Sequence, residues 1–212
     1  MHSDGKKRAG PLSPKFGGKD LDSMVRSNSL LRNRLQRMTN TEKASVDSHP
    51  RLFADLAAEI SHSIELAANA PSLPLGDYNC FEFALGVAGR REVRLIYKYL
   101  PSTFCDGSFV QHLVGSILIS TTVPSTGDLV LYHDDRQITH AGLVAADRII
   151  SKWGKGHLWI HGLLEVPAQY GDTTSFYEAP PANDMVSDFI NFARYREGRE
   201  LVDSVLDFER TG

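Results

Sequence analysis

Five short extended segments crowd into about fifty residues of the second half of the chain, and they restrict it to folds built on an antiparallel sheet. Residues 128–132, 141–145, 148–152, 158–160 and 175–177 are rich in β-branched and aromatic side chains. They are parted by turn-forming groups: Asp134-Asp135, Asp147, Gly154 with Gly156, and Gly171-Asp172. Connections this short join neighbouring antiparallel strands, because a parallel crossover needs a dozen or more residues.

Helical patterns stand on either side. Leu52, Leu56, Ile60, Ile64 and Leu66-Ala67 recur at helical spacing between the capping candidates Asp47 or Ser48 and Pro71, which predicts an amphipathic helix of about five turns. Residues 81–86 follow Asp77 and Asn79, two N-cap candidates, and read as a second helix that puts Cys80 at its start. Residues 108–118 read as a third, ending before the turn Pro124-Ser125-Thr126-Gly127. Beyond Pro180-Pro181, residues 185–208 form a last helical stretch that Gly198 breaks or bends. Helices first, then an antiparallel sheet, is the order of an α+β domain.

The 212 residues suit one domain, and with 42% hydrophobic and 23% charged residues they can bury a core. No apolar run approaches the roughly 20 residues of a membrane helix, so no membrane span is expected. The net charge of −3 excludes nucleic acid as the main partner, but the charge is uneven. Residues 1–50 carry ten Lys or Arg against five Asp or Glu. Their Ser, Gly, Asn and Pro content predicts a basic, disordered arm, in which Leu30, Leu31, Leu35 and Met38 among Arg32, Arg34 and Arg37 form a short amphipathic helix for a partner or an acidic surface. The organisation expected is therefore an arm over 1–50, a catalytic domain over 51–182 and a C-terminal helical extension over 183–212. Two cysteines are too few for a disulfide framework, and Met1 is followed by no apolar signal core. The chain is expected in the cytoplasm as synthesised, with export by a signal-peptide-independent route as the alternative.

Cys80 and His140 are the candidates for chemistry. A thiolate is the reactive form of cysteine, and N–H groups at a helix start lower a thiol pKa. The same groups, with Asn79 or Tyr78, can receive the oxyanion of an acyl-transfer intermediate. His140 opens the strand after the first hairpin, and an imidazole can take a thiol proton near neutral pH and return it to a leaving group. Cys105 sits in a loop with no comparable surroundings and reads as a spare thiol. His157 and His161 would lie about 13 Å apart in an extended segment, too far for one ion, so no metal is expected.

Together these residues resemble a known group. Asn79-Cys80-Phe81-Glu82-Phe83-Ala84, then Gly127-Asp128-Leu129-Val130-Leu131-Tyr132, then Thr139-His140-Ala141-Gly142-Leu143-Val144, is similar to the NlpC/P60 and CHAP superfamily of papain-like cysteine hydrolases over residues 75–178. The resemblance implies a Cys-bearing helix packed on a small antiparallel sheet, with Cys80 as nucleophile, His140 as base and no cofactor. It places the third, imidazole-orienting residue on the next strand, at Ser151 or Lys152; His157, His161, Glu165 or a backbone carbonyl are alternatives. Lys152 cannot accept a hydrogen bond when charged, so with Trp153 it is assigned to oxyanion or substrate binding. The function implied is a thiol peptidase or amidase acting on a peptide or amide substrate, a peptidoglycan peptide or a protein side chain. It would serve as a delivered toxin or effector, with an adaptor or immunity protein as partner, or as a cell-wall amidase. The competing readings are an inactive papain-like peptide-binding module, and an acyltransferase or deamidase on the same scaffold.

Overall fold

A computed structural model describes residues 18–40 and 46–208. Its elements in chain order are α1 Gly18–Asn40, α2 His49–Leu56, β1 Glu65–Leu66, α3 Cys80–Ala84, α4 Arg91–Tyr99, α5 Gly107–Val114, β2 Ser120–Thr121, β3 Leu129–Asp134, β4 Gln137–Ala145, β5 Arg148–Lys152, β6 Leu158–His161, β7 Thr173–Tyr177, α6 Ala182–Glu197 and α7 Arg199–Phe208. The strands make one open antiparallel sheet in the order β1-β6-β5-β4-β3-β7-β2. The protein is thus mixed α+β, as the segment order predicts. No helix among the described residues is long and apolar enough to cross a membrane.

The five predicted strands are all present, and β4 begins earlier than expected because its hairpin is tight. Only Asp135 and Arg136 separate β3 from β4, and Asp135 takes a positive φ of 52°, which Asp tolerates better than most residues. A bulge after Tyr132 then shifts the register, so that Tyr132 pairs with His140 and His133 with Ile138.

Alternation along β3 divides the interior in two. Leu129 and Leu131 join a core with Phe81, Ile96, Phe109, Leu113 and Phe189 from α3 to α6. Val130 and Tyr132 join a second core with Leu31, Leu35, Phe53, Trp153 and Trp159. Gly107 lets α5 sit directly on β4, since a Cβ there would lie 2.2 Å from the carbonyl oxygen of Ile138.

Three expectations are corrected. The five-turn helix after Pro50 stops at Leu56, and the chain continues to β1, which pairs with β6 at the sheet edge. Glu165 accounts for this: its carboxylate accepts the Ser63 hydroxyl at 2.5 Å and the Ser63 N–H at 2.9 Å, and the N–H would be occupied in the interior of a helix. Ile60 and Ile64 still reach the second core. The arm, in turn, is not a free tail over its described part. α1 buries Leu31 and Leu35 in the second core, and Arg32 donates to the carbonyls of Val166, Ala168 and Gly171. Leu31, Leu35 and Met38 of its amphipathic stripe pack on the second core, while Leu30 stays exposed; residues 1–17 and 41–45 lie outside the described residues. Lastly, the C-terminal helices are no appendage, because Met185, Phe189, Phe192, Val202 and Val205 complete the first core.

Candidate active site

Cys80 is the first residue of α3, and the local sequence fixes it there. The Asn79 side chain accepts from the N–H groups of Phe81 and Glu82 at 2.8 and 3.0 Å, and the Glu82 carboxylate accepts from the Asn79 N–H at 2.8 Å, a complete capping box. The Asn79 amide nitrogen donates to the Cys105 carbonyl at 2.8 Å. Asn79 is therefore engaged as a cap, with its side-chain oxygen and one of its two amide N–H groups committed. The helix spans only five residues, so its dipole offers the thiol little.

Individual N–H groups do more. Those of Ala141, Cys80 and Phe81 face the sulfur, and the Lys152 charge reaches it. These contacts do not offset the enclosure of the thiol. Burial pushes Cys80 up to about 11, so at neutral pH it rests as a thiol. Cys105 is wholly buried and burial raises it as well, which fits a spare core thiol.

The contact with Ala141 ties the two expected catalytic residues together, because that N–H belongs to the peptide group directly after His140. The His140 side chain is wholly buried, lies flat on Tyr170 with centroids 3.9 Å apart and planes 4° from parallel, and sits 5.4 Å from the Tyr132 ring. Neither ring nitrogen has a hydrogen-bond partner. No hydrogen bond links it to Cys80 in this arrangement. Burial, with His161 nearby, holds its pKa well below 6.5, so the imidazole is neutral, the form a base requires.

The expected third residue goes elsewhere. Ser151 Oγ lies 2.8 Å from His161 Nε2 and accepts the Trp153 indole N–H at 3.0 Å, while His161 Nδ1 faces the Gly162 carbonyl at 2.8 Å. Ser151 thus orients His161 and not His140. Burial brings His161 down to about 4, which leaves it neutral, with Nδ1 protonated toward Gly162 and Nε2 accepting from Ser151. Trp153, expected at the substrate, is instead 2% exposed and packed against Phe53, Trp159 and His161 in this core cluster.

Lys152 alternates with Ser151 on β5 and points toward the turn that enters α3. Its ammonium is 4.7 Å over the Tyr78 ring and donates to the carbonyls of Gly154 at 3.1 Å and Gly156 at 2.6 Å. Burial lowers it to about 8. The Tyr78 hydroxyl, buried beside it, has no partner. Tyr78 and Lys152, both expected at the site, thus pack together at the turn that leads into Cys80, and the Lys152 charge acts on its sulfur.

Sequence reasoning missed Tyr170 and Glu82. Glu82 is readable from the spacing Asn79-x-x-Glu82, a capping-box signature. Tyr170 carries no local signal: it comes from a loop that Arg32 and Gly171 hold in place. A Cβ on Gly171, whose φ is 83°, would lie 1.9 Å from the His133 carbonyl oxygen. No family model, curated protein or solved structure matches the chain.

Proposed function

We propose that the protein is a thiol hydrolase of amide bonds, with Cys80 as nucleophile and His140 as base, on a papain-like arrangement of one short helix against an antiparallel sheet. One observation carries this reading: the peptide N–H that follows His140 is near enough to the Cys80 sulfur to favour its thiolate, and both ring nitrogens of that buried histidine are unpartnered. Leaving a buried polar atom without a partner costs about 1–3 kcal/mol, a cost that a purely structural histidine avoids. His140 is neutral and free to accept a proton.

In the reaction the Cys80 S–H proton passes to His140 as the sulfur attacks the substrate carbonyl. The Tyr78 hydroxyl and the N–H groups around the sulfur receive the oxyanion. When the C–N bond breaks, the amine takes the proton from His140, and water then hydrolyses the thioester with His140 again accepting a proton. A peptide amide, from peptidoglycan or a protein side chain, is the substrate class that the resemblance of the Cys80 and His140 segments supports. Placing the protein as a delivered effector or a cell-wall amidase follows from the same resemblance.

A second reading has its own support. A thiol held at about 11 is a poor nucleophile, as in a peptide-binding module that keeps the scaffold without the chemistry. The deciding experiment incubates the full chain with peptidoglycan fragments and with peptide and glutamine amides, following amine release and the intact mass. The hydrolase reading expects turnover and a trapped acyl adduct on Cys80, both lost in Cys80→Ala and reduced at least 10²-fold in His140→Ala. Binding with no adduct and no amine release establishes the module. Adduct transfer to an added amine in preference to water assigns an acyltransferase.

A further inference from the structure

Lys152 is wholly buried, yet it forms no ion pair among the described residues; its ammonium rests on two carbonyls and a ring face. A buried ammonium without an anion is expensive, and proteins keep one where an anion appears during function. Two anions can form within reach of its charge, the Glu82 carboxylate and the Cys80 thiolate. Glu82 is already committed: its carboxylate accepts the Asn79 N–H, and the Tyr97 hydroxyl also bonds to it. The thiolate has only backbone N–H groups.

Resting on the hydrolase reading, we propose that the Lys152 ammonium is the counter-ion of the Cys80 thiolate. The site then works as a Cys80–Lys152 pair in which the lysine supplies the standing positive charge beside the sulfur, and His140 takes the thiol proton only during the reaction. The other titratable groups facing the sulfur do not supply this charge. Glu82 and Cys105 contribute only negative charge when ionised; Tyr170 and Tyr78 are held neutral by burial; and β4 presents the Ala141 N–H and the His140 imidazole, which burial keeps neutral at rest. The Tyr78 ring, two residues before Cys80, seats the ammonium by cation–π attraction and so couples the lysine to the turn that places the sulfur. In an ordinary cysteine hydrolase the imidazolium is the counter-ion. Here the buried imidazole, flat on Tyr170, is neutral at rest, so the charge standing beside the sulfur before the reaction comes from the neighbouring strand.

The test needs no substrate. The full chain is alkylated with iodoacetamide from pH 6 to 10 and the modified cysteine identified by mass spectrometry, for wild type, Lys152→Met, Lys152→Gln, Lys152→Arg and His140→Ala. Cys105 is the internal control, since it stays unlabelled while the fold is intact. The proposal expects Cys80 in either neutral variant to label about tenfold more slowly at pH 8. Its profile should move up by about one pH unit, while His140→Ala keeps the wild-type midpoint. Lys152→Arg decides independently: at pH 9.5, where lysine has lost its proton and arginine has not, it should label faster than wild type. An unchanged profile in a neutral variant that protects Cys105 overturns the proposal, as does a midpoint shift confined to His140→Ala. An arginine variant no faster than wild type at pH 9.5 also overturns it. Each of these outcomes leaves the amide-hydrolysis experiment to stand or fall separately, because that reading turns on Cys80→Ala and product release.

Discussion

Two clusters of buried polar groups flank β5, and they meet the cost of burial in opposite ways. Around Ser151, His161 and Trp153 every group is neutral and bonded: indole to hydroxyl, hydroxyl to imidazole, imidazole to carbonyl. Around Cys80, Glu82 and Lys152 the chain buries groups that carry charge, a carboxyl pushed up to about 7 and an ammonium brought down to about 8, near each other's charge but joined by no salt bridge among the described residues. The first arrangement is what a protein builds for rigidity. The second stores electrostatic cost next to a thiol, which is where chemistry would use it. Adjacent residues on one strand, Ser151 and Lys152, serve the two purposes because alternate side chains leave a strand on opposite faces.

The largest expected effect breaks the rigid cluster. Trp153→Ala removes a buried ring that touches Phe53, Trp159 and His161 and leaves Ser151 without its donor. Urea unfolding should show a loss of about 3–5 kcal/mol; a loss below about 1 kcal/mol would mean that the ring cluster is not the rigid half.

A second comparison sets the two clusters against pH. Glu82 holds its proton to about 7 in the fold but only to about 4.5 when exposed, so between those values the folded chain binds more protons. Stability from this group is greatest at low pH and falls as pH rises from 4.5 to 7. His161 runs the other way: it binds its proton near 4 in the fold and near 6.5 when exposed, so its contribution is present above 6.5 and is lost as pH falls toward 4. Glu82→Gln keeps the acceptor for Asn79 without the charge. It should stabilise the protein at pH 8 by up to about 3 kcal/mol, at 1.36 kcal/mol per pKa unit, and by little at pH 4.5. Thermal melts at both pH values test this, and equal gains at the two would show that Glu82 does not titrate inside the fold. NMR should find the His161 imidazole shifts flat from pH 8 down to 5.5.

The sheet was legible because its information is local: each strand is a short β-rich run closed by turn residues, and the hairpin at Asp135 needs nothing from afar. The helix after Pro50 was misread because its apolar spacing is real but serves the second core from an extended chain, and the residue that draws Ser63 out, Glu165, lies 102 positions away. The arm was misread for a related reason. Its basic composition says solvent, yet Arg32 is spent on loop carbonyls that only the fold assembles. At the site, Cys80 and His140 announced themselves through flanking segments, and the structure brings the sulfur to the peptide group beside the histidine. Which of Ser151 and Lys152 faces the thiol depends on the parity of a strand whose register no local pattern fixes, and Tyr170 reaches His140 from a loop with no motif of its own.

Ser151→Ala is the smallest and the most discriminating change. In a papain-like site whose third residue stood at 151, removing the hydroxyl would free the catalytic imidazole to rotate and would lower turnover sharply. Here the hydroxyl bonds His161 and Trp153, while His140 is held by stacking on Tyr170 and on the Tyr132 side. Alanine leaves the indole N–H and the His161 Nε2 without partners, at a cost of about 1–3 kcal/mol in stability. Cys80 alkylation and amide turnover, measured well below the melting temperature, should stay within about threefold of wild type. A drop of 10²-fold with the fold intact would return Ser151 to the catalytic set and erase the division of labour between the two faces of β5.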